Sequence, residues 1–162
     1  MKEYPWKTTF TDRAIYVSNF IPKNSSVLDI GGGLGELNNY LNNAEYNSID
    51  IEKWNDFTIK ADLNNKKEFP KIKEKRDFVI CLGIIEYIKD ASFFLYKMKE
   101  YSNTMIISYR RNTNGGMERK NNFDILEFKW LLEDVGWKVL FNKKIKTGDY
   151  IFFCSNKKNE RY

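Results

Sequence analysis

Histidine is absent from the chain. That excludes an imidazole general base and any histidine-containing metal site. Cysteine is scarce: Cys81 and Cys154 are the only two, and no C-x-x-C spacing exists to hold a metal or a redox pair. Both lie in apolar, strand-like runs and read as buried free thiols of a reducing compartment. No stretch reaches the ~18 consecutive apolar residues of a membrane span. The opening residues, Met1 to Trp6, lack the apolar run of a signal peptide, so a cytoplasmic protein is expected. Neither sign of charge dominates: Lys and Arg number 27 against 22 Asp and Glu, a net of +5. The excess is scattered. Runs such as Lys71 to Arg76 and Lys157-Lys158 read as solvated connections rather than a nucleic-acid stripe, so no nucleic-acid partner is expected. A length of 162 residues fits one domain with a three-layer core, residues 1–23 forming an N-terminal lid and helix segment. Aromatic residues make up 16%, which such a core can absorb.

What the chain does have is glycine concentrated in one place. VLDIGGGLG at 27–35 runs an apolar strand into a turn carrying Gly31, Gly32, Gly33 and Gly35, with a helix expected from Glu36. Glycine accepts positive φ and lets a ligand approach the backbone. At the carboxyl end of a parallel strand, such a turn is where open α/β sheets bind nucleotides. The dinucleotide spacing G-x-G-x-x-G fails in every frame: from Gly31 the sixth position is Glu36, and from Gly32 the third is Leu34. Asp29 before the turn and Glu36 after it would repel a pyrophosphate; they suit a ligand with a cationic amine.

The remaining pattern alternates strands and helices. A helix is expected over Phe10–Phe20 and strands over Val27–Ile30, Tyr46–Ile51, Phe57–Lys60 and Asp77–Leu82. Between the last two the chain is charged and contains Pro70, too short for a long helix. A helix over Ala91–Tyr101 and a strand over Thr104–Ser108 follow. Arg110–Asn122, with Gly115-Gly116, reads as a loop. Asp124 and Glu127 form a variant capping box, with Phe123 and Phe128 spaced as a hydrophobic staple; Gly136 stops that helix. Lys138–Ile145 and Tyr150–Ser155 flank Thr147-Gly148-Asp149, a connection too short for anything but an antiparallel pair. The expectation is an α/β, three-layer Rossmann-like sandwich with a seven-stranded, mostly parallel sheet whose last strand is antiparallel.

Asp50 ends the second strand about 20 residues past the turn, where such sheets place a carboxylate on a ribose hydroxyl. Taken together, the order of these motifs from about Asn24 to Lys157 resembles the class I S-adenosylmethionine (SAM)-dependent methyltransferases. The resemblance implies SAM as cofactor, with Asp29, Gly31, Gly33 and Gly35 around its methionine end and Asp50 on its ribose. It places Ile51 against the adenine, Asp62 and Leu63 on the adenine edge, and backbone at Cys81 and Leu82 along the methionine. Phe78 to Asp90 resembles the motif after the fourth strand, but Tyr87 stands where the usual form has histidine. Glu86, Tyr87 and Tyr109 are then the candidates to accept a proton. The resemblance also implies a small-molecule acceptor, such as a sugar or phosphorylated metabolite. Arg110, Arg111 and Arg119 are available for an anionic one, and Tyr4 to Trp6 for a pocket wall. Two alternatives stay open: a SAM-binding, methyltransferase-like subunit inactive without a partner, and a nucleotide-dependent oxidoreductase, which the glycine spacing disfavours. The chain's use of Asn, Lys and Ile is compatible with an AT-rich bacterial genome.

Overall fold

The computed structural model describes residues 7–111 and 119–156. The expected wall at Tyr4 to Trp6, the Gly115-Gly116 stretch and Lys157-Lys158 lie outside the described residues. One seven-stranded sheet forms, in the order β3-β2-β1-β4-β5-β7-β6. Its strands are β1 (Ser26–Ile30), β2 (Glu45–Asp50), β3 (Thr58–Lys60), β4 (Phe78–Cys81), β5 (Thr104–Tyr109), β6 (Lys138–Lys144) and β7 (Tyr150–Ser155). The first five run parallel, and β7 is inserted antiparallel between β5 and β6. Gly148, at φ 89°, makes the tight return that this hairpin needs.

Side chains alternate across each strand, so the sheet buries two distinct faces. Leu28, Ile30, Val79, Met105, Ile107 and Phe152 face α2 (Ala91–Tyr101) and α3 (Ile125–Asp134), with Phe94, Met98, Phe128 and Trp137 filling between. Val27, Ile80, Ile106 and Ile151 face the other way, against Ala14 and Val17 of α1 (Lys7–Ser18) and Leu37. Both cysteines are free and buried.

The helix expected from Glu36 is a short 3₁₀ turn, Glu36–Tyr40. Its two asparagines favour competing local hydrogen bonds over helix, and Gly35 at φ 82° enters it without a side-chain cap. The capping box of α3 is complete: Glu127 N–H donates to Asp124 at 2.8 Å and Asp124 N–H to Glu127 at 2.7 Å. Phe123 and Phe128 stack with ring centres 6.2 Å apart. No helix covers the segment between β3 and β4; Phe69 and Ile72 pack there instead. The sheet order reverses direction between β1 and β4, which places a crevice at their carboxyl ends.

Candidate functional site

The turn after β1 sits in that crevice. Gly31 N–H donates to Ile49 O at 2.7 Å, and its φ is 72°. A Cβ on Gly31 would come within 3.0 Å of Ile84; one on Gly32 would lie 2.9 Å from Ser48 Cβ and 3.0 Å from Asp29 Oδ2. Close packing therefore requires glycine at both positions, and backbone angle requires it at Gly31 as well. Asp29 is 4% exposed and accepts the Tyr46 hydroxyl at 2.7 Å. Burial pushes its carboxyl up to about 7; Tyr46 and Arg13 oppose the rise and nearby Asp50 adds to it. Glu36 accepts from the Thr11 hydroxyl at 3.1 Å, tying the turn to α1.

Two cavities meet at Gly31. The larger, of about 220 Å³, is lined by Asp50, Ile51, Asp62, Leu63, Ile84 and Tyr87 among others. The smaller, about 20 Å³, is bounded by Phe10, Ala14, Asp29, Glu36, Leu37 and Leu82. Asp50 is firmly placed: one oxygen accepts Gly33 N–H at 2.9 Å, the other Glu52 N–H and Trp54 Nε1 at 3.2 Å each. Ile51 leaves 59% of its surface open beside this cavity. Asp62 folds one oxygen back onto Asn64 N–H at 2.9 Å, the Asx-turn habit of the residue type. The structure thus brings Asp29, Gly31, Asp50, Ile51, Asp62, Leu63 and Leu82 around one crevice, while the Cys81 side chain points into the core.

The three proton-acceptor candidates part company. Tyr109 is fully buried under α3: its hydroxyl donates to Phe123 O at 2.8 Å and its ring stacks on Phe128 at 4.5 Å. The structure does not bring it to the crevice. Tyr87 lines the larger cavity. Glu86, 2% exposed, takes Arg110 N–H on Oε1 at 3.0 Å while Oε2 has no partner. Burial raises its carboxyl above the ordinary range, against the pull of backbone hydrogen bonds and of Arg119 and Arg13. Arg119 Nη1 donates to Arg110 O at 2.5 Å, and Arg111 is exposed.

Sequence reading missed Phe10, Arg13, Ala14, Trp54, Ile84 and Asp149. Arg13 and Asp149 stand 136 positions apart yet pair at 3.3 Å. No local pattern signals that contact; only the β6–β7 turn folding over α1 creates it. Among the described residues no group of three or more acidic, Cys or His residues is placed to hold a metal ion. No described helix is long and apolar enough to cross a membrane.

No protein-family model matches the sequence, and no curated protein matches it significantly. Solved structures do. A SAM-dependent methyltransferase from Aquifex aeolicus superposes with a TM-score of 0.72 at 16% identity, covering 93% of each chain. The Burkholderia thailandensis 1,6-didemethyltoxoflavin-N1-methyltransferase, solved with that compound and S-adenosylhomocysteine, gives 0.73 at 12% identity over 93% of this chain and 80% of its own. A Haloferax volcanii putative methyltransferase, in complex with the Trm112 methyltransferase activator, gives 0.74 at 12% identity, with 97% and 91% covered. Strand order, the inserted antiparallel strand and these superpositions agree: the chain has the fold of the class I, Rossmann-like, SAM-dependent methyltransferases.

Proposed function

We propose that the protein binds SAM across the two cavities that meet at Gly31 and transfers a methyl group to a small-molecule acceptor. The observation that carries this reading is the division of the crevice. One cavity is apolar with a carboxylate at the end of β2 and another just past β3; its neighbour holds a buried carboxylate. A nucleoside needs the first kind of site and an amino-acid ammonium the second.

The residues fit such a ligand. Asp50, anchored by Gly33, Glu52 and Trp54, keeps one lone pair, on Oδ2, for a ribose hydroxyl. Ile51 and Leu63 offer apolar surface to an adenine ring, and the second oxygen of Asp62 an acceptor for its amine. Asp29 faces the ammonium with Glu36 nearby, and Gly31, Gly33 and Gly35 keep side-chain bulk out of the turn. Backbone at Cys81 and Leu82 closes the methionine side. When bound, SAM supplies an activated methyl group, whose C–S electron pair returns to sulfur as the acceptor's lone pair forms the new bond. The protein's own work is alignment and exclusion of water. The free Oε2 of Glu86 is the group we assign to receive a proton from the acceptor.

Formation of S-adenosylhomocysteine by the purified protein, measured across a panel of small hydroxyl and amine acceptors, tests this reading. Turnover with one class and its loss in Glu86→Gln are expected; tight SAM binding with no turnover on any acceptor would contradict it. A second reading has support in the Haloferax volcanii neighbour, which was solved with an activator protein. If this chain likewise supports a partner, turnover will appear only when a partner protein is added.

A further inference from the structure

We propose that Trp54 sets what Asp50 can recognise: its indole N–H fills the lone pair that a second ribose hydroxyl would need, so Asp50 reads one hydroxyl of the ribose and not both. The inference rests on the SAM-binding reading above and adds which part of the nucleoside governs affinity. Asp50 ends β2 and lines the larger cavity together with Gly31 and Ile51.

An ionised carboxylate has two oxygens, about four lone-pair sites and no proton to give. The protein itself fills three of those sites. Oδ2 accepts Gly33 N–H at 2.9 Å. Oδ1 accepts Glu52 N–H and Trp54 Nε1–H at 3.2 Å each. Oδ1 is therefore full, and the remaining site is on Oδ2. A ribose brings two hydroxyl donors, and Asp50 can receive one of them.

The three donors differ in kind. Gly33 and Glu52 donate from the backbone, and the bond from Glu52 closes an Asx-turn two residues on. Many residue types at those positions would supply the same N–H. Trp54 donates from its side chain, so this bond depends on the residue type at position 54. The indole N–H is a donor only and cannot accept a hydroxyl in return.

Trp54 is also held in place. It stands in the connection between β2 and β3, which packs back onto the glycine turn. Next to it, Asn55 Nδ2 donates to Leu34 O at 3.5 Å, and Asn55 Oδ1 accepts the Thr58 hydroxyl at 2.7 Å. A Cβ on Gly35 would lie 2.8 Å from the Phe57 ring. Ser48 N–H donates to Phe57 O at 3.0 Å. The connection is thus tied to the turn on one side and to β2 and β3 on the other, with Trp54 half-buried between. A donor already fixed beside a carboxylate loses little freedom on bonding to it, whereas an incoming hydroxyl must be ordered to displace it.

Calorimetry with S-adenosylhomocysteine, its 2′-deoxy analogue and its 3′-deoxy analogue reads this directly. One analogue should bind the parent protein weaker by about tenfold or more, through loss of one hydrogen bond to a charged acceptor. The other should bind within about threefold of S-adenosylhomocysteine, because its missing hydroxyl had no place on Asp50. Trp54→Phe keeps an aromatic ring and removes the N–H, which frees a site on Oδ1. The tolerated analogue should then fall behind S-adenosylhomocysteine by about fivefold or more. Trp54→Leu gives the same reading should Trp54→Phe not fold. A loosened fold would weaken all three ligands alike and leave their ratios unchanged, so the ratios separate this role from a merely structural one. Equal losses for both analogues in the parent, no loss for either, or ratios unmoved by the substitution would overturn the proposal. Uptake of none of the three defeats the SAM-binding reading, whereas uptake of S-adenosylhomocysteine with both analogues equally weakened defeats only this one.

Discussion

Asp29 shows most clearly how one residue carries both a cost and a role. In the folded protein its carboxyl ionises near 7, against an ordinary value of 3.8. Between those values the folded state keeps a proton that the unfolded chain has lost. Stability from this group therefore falls as pH rises from 3.8 towards 7 and stays low above that. Asp29→Asn removes the ionisation, and thermal melts should show the variant gaining stability relative to the parent at pH above neutral. The same substitution should weaken the cofactor, because the ammonium then lacks its counter-charge. In the parent, affinity for SAM should rise with pH through neutrality, as the carboxylate forms. Titrations on either side of neutral pH check the sign.

Asp50 and Gly31 make two further predictions at this scale. Asp50→Ala removes acceptors for Gly33, Glu52 and Trp54 as well as for a ribose. Cofactor affinity should drop by about 1–3 kcal/mol, the worth of a few hydrogen bonds to a charged group, as calorimetry would measure. In Gly31→Ala a Cβ at positive φ meets Ile84 at 3.0 Å. It should cost on the order of 1–2 kcal/mol of folding stability, visible in denaturant melts, from the left-handed backbone alone. That Asp29, Gly31 and Asp50 would lie at one crevice was legible in the sequence because each is tied to a strand end. Trp54 was not, since its indole reaches back to Asp50 from a turn without periodicity.

At the scale of elements, α3 carries the clearest local code. Asp124→Ala breaks a two-way cap and should destabilise the protein by about 1 kcal/mol while leaving cofactor binding unchanged, because neither residue of the cap lines either cavity. That helix and the final hairpin follow their sequence signals closely, as caps and tight returns are set by neighbours in the chain. The Glu36 segment departs from expectation for the opposite reason. Leu37 supplies an apolar anchor, yet asparagines and a left-handed Gly35 leave it only a 3₁₀ turn. Strand β6, at the sheet edge, is mostly exposed and bulges between Val139 and Phe141, so its apolar content overstates its burial.

For the molecule as a whole, the alternation of strands and helices with one closing hairpin was enough to give the sheet class. The pairing order follows from right-handed crossovers and the reversal between β1 and β4. The cluster of Arg13, Glu86, Arg110 and Asp149 was much less legible. Its groups come from α1, the loop after β4, the end of β5 and the β6–β7 turn. Only the folded sheet gathers them, and no spacing in the chain encodes contacts of such span. Calorimetric titration of the folded protein with S-adenosylhomocysteine tests most directly whether the crevice at Gly31 is a SAM site. Uptake of one molecule per chain is expected, tighter above neutral pH than below and weakened in Asp50→Ala. Well-folded protein that took up none at either pH would contradict it.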